Sequence, residues 1–96
     1  MPRPICPRII SHVPSVTYFK PAGIPLRELA EYTLAADELE ALRLADRESL
    51  YQQEAAKRMG ISRPTFARIL HRARHQVARA LVEGCALRII RSDHSD

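Results

Sequence analysis

The sequence predicts a mainly α fold built on a helix-turn-helix, with a small two-stranded β-sheet from the termini. Three observations predict it. The run EAAKRMGISRPTFARIL, Glu54 to Leu70, has helical apolar spacing yet is broken by Gly60 and Pro64. Six of the seven prolines lie in the first 25 residues, so long helices are confined to the rest of the chain. Two short segments near the ends, SVTYF and ALRII, are rich in β-branched, aromatic and aliphatic residues.

The 96 residues suffice for one small domain with a modest core. Residues 1–25 read as a proline-rich arm, 26–84 as the helical core and 85–96 as a strand and tail. In the arm, Ser15–Phe19 is expected as a strand and Lys20–Pro25 as a turn. Pro25 is suited to open a short helix over Pro25–Tyr32, with Leu26, Leu29 and Ala30 facing inward.

The next helix is expected over Ala36–Ala45. Asp37, Glu38 and Glu40 stand in its first turns, where the helix dipole favours negative charge. Leu39 and Leu42 mark one face and Ala41 and Leu44 another, so this helix should be packed on two sides. Asp46–Ser49 reads as a polar turn. Ser49 and Gln52 have capping-box spacing, which predicts a helix from about Leu50 to Met59. Gly60 ends it, because the turn there favours positive φ. Ser62 then caps a third helix, with Pro64 tolerated in its first turn. The stripe Phe66, Ile69, Leu70, Ala73, Val77, Ala80 and Leu81 carries this helix to Gly84. Ala86–Ile90 is expected as the second strand.

Two helices that cross steeply need a small residue at their closest approach, a flexible one at the turn and apolar residues on both sides. Ala56 and Gly60 at i, i+4 supply the first two, and Ala55, Met59, Ile61, Phe66 and Ile69 the third. The formal net charge of +4 is unevenly spread: residues 1–25 carry +3, 26–49 carry −4, 50–91 carry +7 and the tail −2. A basic half of this kind suits a polyanion such as nucleic acid.

The second helix of such a motif enters the DNA major groove by its N-terminal half. Opposite the Phe66/Ile69/Ala73 stripe the sequence places Pro64, Arg68, His71, Arg72, His75 and Arg79. Base contact is expected from Arg63, Thr65 and Arg68, since arginine can grip guanine in a bidentate way. Phosphate contact is expected from Gln52, Ser62, Arg72 and Lys57. The partner is then double-stranded DNA. A homodimer fits the same reading, because one helix reads few base pairs and two-fold pairing doubles the site.

Other chemistries have weaker support. No apolar run reaches the ~18 residues of a membrane span, and no secretory leader is recognisable. Two cysteines without a CxxC pair fit a reducing cytoplasm. His71 and His75 share a helix face at i, i+4, but a metal site would need Cys6 and Cys85 brought beside them. No phosphate loop, catalytic triad or nucleophile arrangement is present, so an enzyme is not expected and no cofactor is implied. The alternatives are an adaptor docking on the transcription machinery, such as RNA polymerase, and a metal- or thiol-responsive sensor using Cys6 and Cys85.

The chain also resembles a family of small prokaryotic proteins of unknown function that are held to bind DNA. The resemblance runs through MPRP, FKPAGIPL, DELEALRLAD, QEAAKRMGISRPTFARIL and ALVEG, and DELEALRLAD is its most specific part. That family's helix-turn-helix is similar to the region of bacterial sigma factors that reads the promoter −35 element. This implies a role in transcription but brings no known target. Some of its members carry an added domain similar to iron–molybdenum cofactor binders, which is not expected here. Tyr51 departs from the SQEEAA pattern usual at that point. Cys85 stands where lysine is common, so no shared role carries over to it.

Overall fold

The computed structural model describes residues 8–91. Its elements are β1 (Tyr18–Phe19), a single 3-10 turn (Leu26–Glu28), β2 (Glu31–Leu34), α1 (Ala36–Leu42) continued by a π-helical turn (Arg43–Arg47), α2 (Gln52–Met59), α3 (Arg63–Glu83) and β3 (Ala86–Ile89). The architecture is mainly α. The sheet has three strands in the order β1-β3-β2, not two. β1 runs antiparallel to β3, with Tyr18 opposite Arg88. β2 runs parallel to β3, from Glu31 opposite Ala86 to Leu34 opposite Ile89. Parallel neighbours need a long crossover, and here all three helices form it.

The expected helix over Pro25–Tyr32 is the main correction. Only Leu26–Glu28 coils, none of it buried, and Leu29 is already extended at φ −113°, ψ 137°. The sequence EYTL alternates, and pairing with β3 outweighs the weak helical preference of so short a segment. Leu34, the inward end of β2, is almost fully buried. Of the expected strand Ser15–Phe19 only Tyr18–Phe19 pairs, and of Ala86–Ile90 only Ala86–Ile89.

The capping role expected of Ser49 is also corrected. The helix begins at Gln52 with Tyr51 as its N-cap and no side-chain cap. The cause lies upstream. α1 widens into a π turn that extends to Arg47, closed by hydrogen bonds from Glu48 N to Arg43 O (2.8 Å) and Leu50 N to Leu44 O (3.0 Å). That places Ser49 at φ 61°, off the helix axis.

α1 is packed on two sides, as its two apolar faces require. Ala41 and Leu44 join Ala55, Ala56, Met59, Phe66, Ile69 and Leu70 in the core between the three helices. Leu39 and Leu42 turn to a second cluster around Leu34, Ala73 and Ile89, which fastens α3 to the sheet. Leu42 touches both clusters and joins them.

α2 ends at Gly60, φ 69° and ψ 31°. Gly60 N donates to Lys57 O and Ile61 N to Ala56 O, both at 3.1 Å. This pair of bonds satisfies carbonyls that the helix end would leave open. Ile9 N donates to a further one, Met59 O, at 2.9 Å, so the N-terminal arm is stitched to the same turn.

Candidate nucleic-acid interface

The turn Gly60–Ser62 sets the direction of α3. Ser62 is its N-cap, with the hydroxyl accepting from Thr65 N at 3.3 Å and donating to Thr65 Oγ1 at 2.9 Å. Arg68 Nη2 donates to the same Thr65 Oγ1 at 3.3 Å. Ser62, Thr65 and Arg68 therefore form one hydrogen-bonded line along the first two turns of α3. Phe66, Ile69 and Leu70, all at most 1% exposed, hold the opposite side of these turns in the core. The arginine head is thus presented outward on a helix that cannot rotate.

The five arginines of α3 divide by environment. Arg63 and Arg68 are exposed and have no carboxylate partner among the described residues. Arg72 keeps about half its side chain in solvent, but its Nε lies 3.3 Å from Glu38 Oε2 on α1. Arg74 grips Asp46 with two nitrogens, at 2.7 and 3.1 Å. The hydrogen bond to Asp46 holds the Arg74 guanidinium above its usual pKa. Arg79 lies over the ring of Tyr32, 4.1 Å from its centroid, and donates to its hydroxyl at 2.9 Å.

Arg79 is therefore not on a free outer face, which corrects the helical-wheel expectation. β2 lies along this part of α3, where a helix was expected, and Gln76 Nε2 bonds to Thr33 O at 3.1 Å. Tyr32 also donates to Glu83 Oε1 at 2.6 Å, which pushes its phenol above the usual range. On this side the C-terminal half of α3 is a strut braced by β2, whereas the N-terminal half presents Arg63 and Arg68 to solvent.

Gln52 is half-buried at the start of α2, and Lys57 is exposed without an ion pair among the described residues. Arg58, by contrast, is paired with Glu54 at 3.3 Å. The structure brings Ser62, Arg63, Thr65 and Arg68 together at one end of α3. Arg72 lies one turn further on, and Gln52 and Lys57 come from the neighbouring helix. Sequence reasoning missed Glu38 as a neighbour of this surface. Its acidic type at the start of a helix was visible, but not that α1 crosses α3 at Arg72.

His71 and His75 are exposed and stack in parallel, with ring centroids 6.4 Å apart. With Arg72, Gln76 and Glu38 they line a shallow groove of about 390 Å³. No group of three His, Cys, Asp or Glu side chains that could hold a metal occurs among the described residues. Cys85 is half-buried beyond the far end of α3, away from both histidines and without a disulfide partner among the described residues. Cys6, its expected redox partner, lies outside the described residues. No described helix is long and apolar enough to cross a membrane.

A family model described as "Protein of unknown function DUF134" matches residues 1–94. A UPF0251 protein of Moorella thermoacetica is 60% identical over 89 residues, covering 93% of this chain and 60% of its own. One from Halothermothrix orenii is 50% identical over 94 residues, covering 98% of this chain and 70% of its own. One from Dehalococcoides mccartyi is 58% identical over 89 residues, covering 93% of this chain and 76% of its own. The chain thus spans less than two thirds of the Moorella relative. No solved structure matches it.

Proposed function

Since the chain belongs to the DUF134 family of unknown function, membership brings no activity with it, and we propose from its own geometry that it binds duplex DNA and acts in transcriptional regulation. The observation that carries this reading is the pair Arg63 and Arg68, exposed and free of carboxylates among the described residues, at the leading end of a helix fixed by Ser62 and the core. α2, the turn at Gly60 and α3 fit the helix-turn-helix manner of entry, in which the N-terminal half of the second helix meets base edges. Resemblance to the sigma-factor region that reads promoters supports the same placement.

In this reading Arg68 meets a base edge, with Thr65 holding one nitrogen so that the guanidinium fork is preset. Arg63 and Thr65 flank it. Ser62 and the first amides of α3 meet a phosphate, and Lys57, Gln52 and Arg72 border the groove. The setting is the cytoplasm, and neither catalysis nor a cofactor is called for.

The test is binding to random duplex DNA over a salt series, followed by selection of preferred duplexes from a random pool. With two cations, Lys57 and Arg72, on phosphates, the logarithm of affinity should fall against the logarithm of salt with a slope of about −2. Absence of duplex binding at low salt would reject the proposal and leave an adaptor role instead.

A further inference from the structure

His71 and His75 stand on the outer face of α3, both exposed, with their rings parallel and 6.4 Å between centroids. At about 100° per residue, His75 falls within about 20° of Arg68 around the helix and His71 within about 60°. Both therefore share the face that Arg68 presents. His71 and Arg72 together line two shallow grooves, one of about 390 Å³ with His75 and one of about 360 Å³ with Arg68. The surface that begins at Arg68 thus continues without a break to His75.

Their place along α3 decides what they would meet. His75 lies seven residues beyond Arg68, about 10 Å along the helix axis. The major groove is about 12 Å wide. A helix that enters it N-terminus first, with Arg68 on a base edge, brings the turn about 10 Å behind level with the rim of the groove. Phosphates stand at that rim. The 6.4 Å between the two rings is close to the separation of successive phosphates along one strand.

The charges around the pair come from two elements. On α3, Arg68 stands three residues before His71 and Arg72 three before His75. Arg74 and Arg79, the other cations within one turn, are turned to Asp46 and Tyr32. From α1, Glu38 lines the groove and keeps its negative charge while accepting from Ala35 N and Arg72 Nε. From β2 and its end the groove receives Thr33 and Ala35, both uncharged. Two imidazolium rings set here repel each other and the neighbouring arginines, and one carboxylate offsets only part of this. Phosphates reverse the balance. They favour the protonated rings over the neutral ones, so by linkage duplex binding draws protons onto the pair.

We propose that His71 and His75 form a phosphate-contacting pair at the rim of the DNA surface, so that duplex affinity rises as pH falls through the range in which imidazoles gain a proton. This rests on the DNA reading and adds to it two contacts and a dependence on pH.

The experiment is fluorescence anisotropy of the whole chain with a random duplex, in salt series at pH 8 and pH 6. EDTA is present throughout, so that a metal held between the rings contributes nothing. The wild type is expected to bind about tenfold more tightly at pH 6 at low salt. Its salt slope should steepen from about −2 at pH 8 towards about −4 at pH 6, as two more phosphates are neutralised. His71→Gln/His75→Gln should lose most of this pH dependence; His12 and His94 remain in that variant and account for any residual part. His71→Arg/His75→Arg should show at pH 8 the steep slope that the wild type shows only at pH 6. Circular dichroism at both pH values checks that each protein is folded. A wild type that binds duplex with one affinity and one slope at both pH values, or a folded glutamine variant that keeps the whole rise, would overturn the proposal and leave the DNA reading standing. A folded wild type that binds no duplex at either pH rejects both.

Discussion

The Glu38 carboxylate serves two elements at once: Oε1 accepts from Ala35 N at 2.9 Å, closing the start of α1, while Oε2 lies 3.3 Å from Arg72 Nε on α3. Its side chain is only 12% exposed, whereas that of Arg72 is 53% exposed. An acid fixed this close to the proposed DNA surface draws on the one arginine of that surface able to reach it.

Glu38→Gln should therefore have two opposite effects. Losing the charged cap and half of an ion pair should lower stability by about 1 kcal/mol. Releasing Arg72 and deleting a negative charge should tighten duplex binding about two- to fivefold at low salt, with the gain shrinking as salt is added. Urea unfolding reads the first and fluorescence anisotropy the second. Unchanged or weaker DNA affinity in a folded protein would remove Arg72 from the contact set.

Arg68 and Arg79 share α3 but should separate cleanly. Arg68→Ala should cost about 1–3 kcal/mol against the preferred duplex and relax preference at one base position, with thermal stability nearly unchanged because the head is exposed. Arg79→Ala should do the reverse. It removes the cation over Tyr32 and a hydrogen bond, costing about 1–2 kcal/mol of stability, and should leave DNA affinity intact. Anisotropy with random and selected duplexes, together with thermal melts, distinguishes the two. Equal effects of both on binding would undo the division of α3 into a projecting half and a strut.

This division also marks where the sequence was legible. The start and stop of α3 and its inward stripe as far as Ala80 could be read, because cap, period and stop are local signals, but Leu81, which the stripe was expected to include, is 77% exposed. The two faces of α1 were equally visible in the spacing of Leu39, Ala41, Leu42 and Leu44. β2 was not, because Glu31 and Tyr32 read as the end of a helix opened by Pro25 until the distant strand β3 is known to run alongside. The same blind spot misplaced Arg79, since its partner Tyr32 sits on that strand. The π turn at Arg43–Arg47 leaves no local signature, and it alone displaced the expected cap at Ser49. Arg63, Thr65 and Arg68 could be proposed from one helix, but Glu38 required the crossing of two.

Gly60 tests the turn itself. Its φ of 69° is strained for any residue with a Cβ, and an added Cβ would lie 3.3 Å from Ile9 Cδ1. Gly60→Ala should lower stability by about 1–2 kcal/mol, which in a domain of this size corresponds to a fall in melting temperature on the order of 5–15 °C. Gly60→Asn should lose less, because asparagine tolerates this conformation better. Calorimetry on the three proteins gives the ranking, and an alanine variant as stable as the wild type would mean that the turn does not need a left-handed residue.

Glu40 makes the acid limb of stability predictable. Burial acts to raise its carboxyl pKa, but hydrogen bonds from Arg43 (2.8 and 3.0 Å) and from Ser11 (3.0 and 3.2 Å) outweigh burial and hold it below its ordinary value of 4.5. A carboxylate depressed in the folded state binds its proton more readily when unfolded. Its contribution is therefore complete above about pH 4.5 and is lost as pH falls through the lower folded-state value. Urea midpoints should accordingly be level near neutrality and drop on the acid side. Glu40→Gln cannot be titrated and leaves Arg43 with Glu48 at 3.4 Å as its remaining carboxylate. That variant should be less stable at pH 7 by about 1–3 kcal/mol, and its acid limb should be shallower than that of the wild type. The arm is tied to α1 through Ser11, so proteolysis before Ser11 should quicken in the same variant. Parallel acid limbs in the two proteins would show that another carboxylate governs the transition.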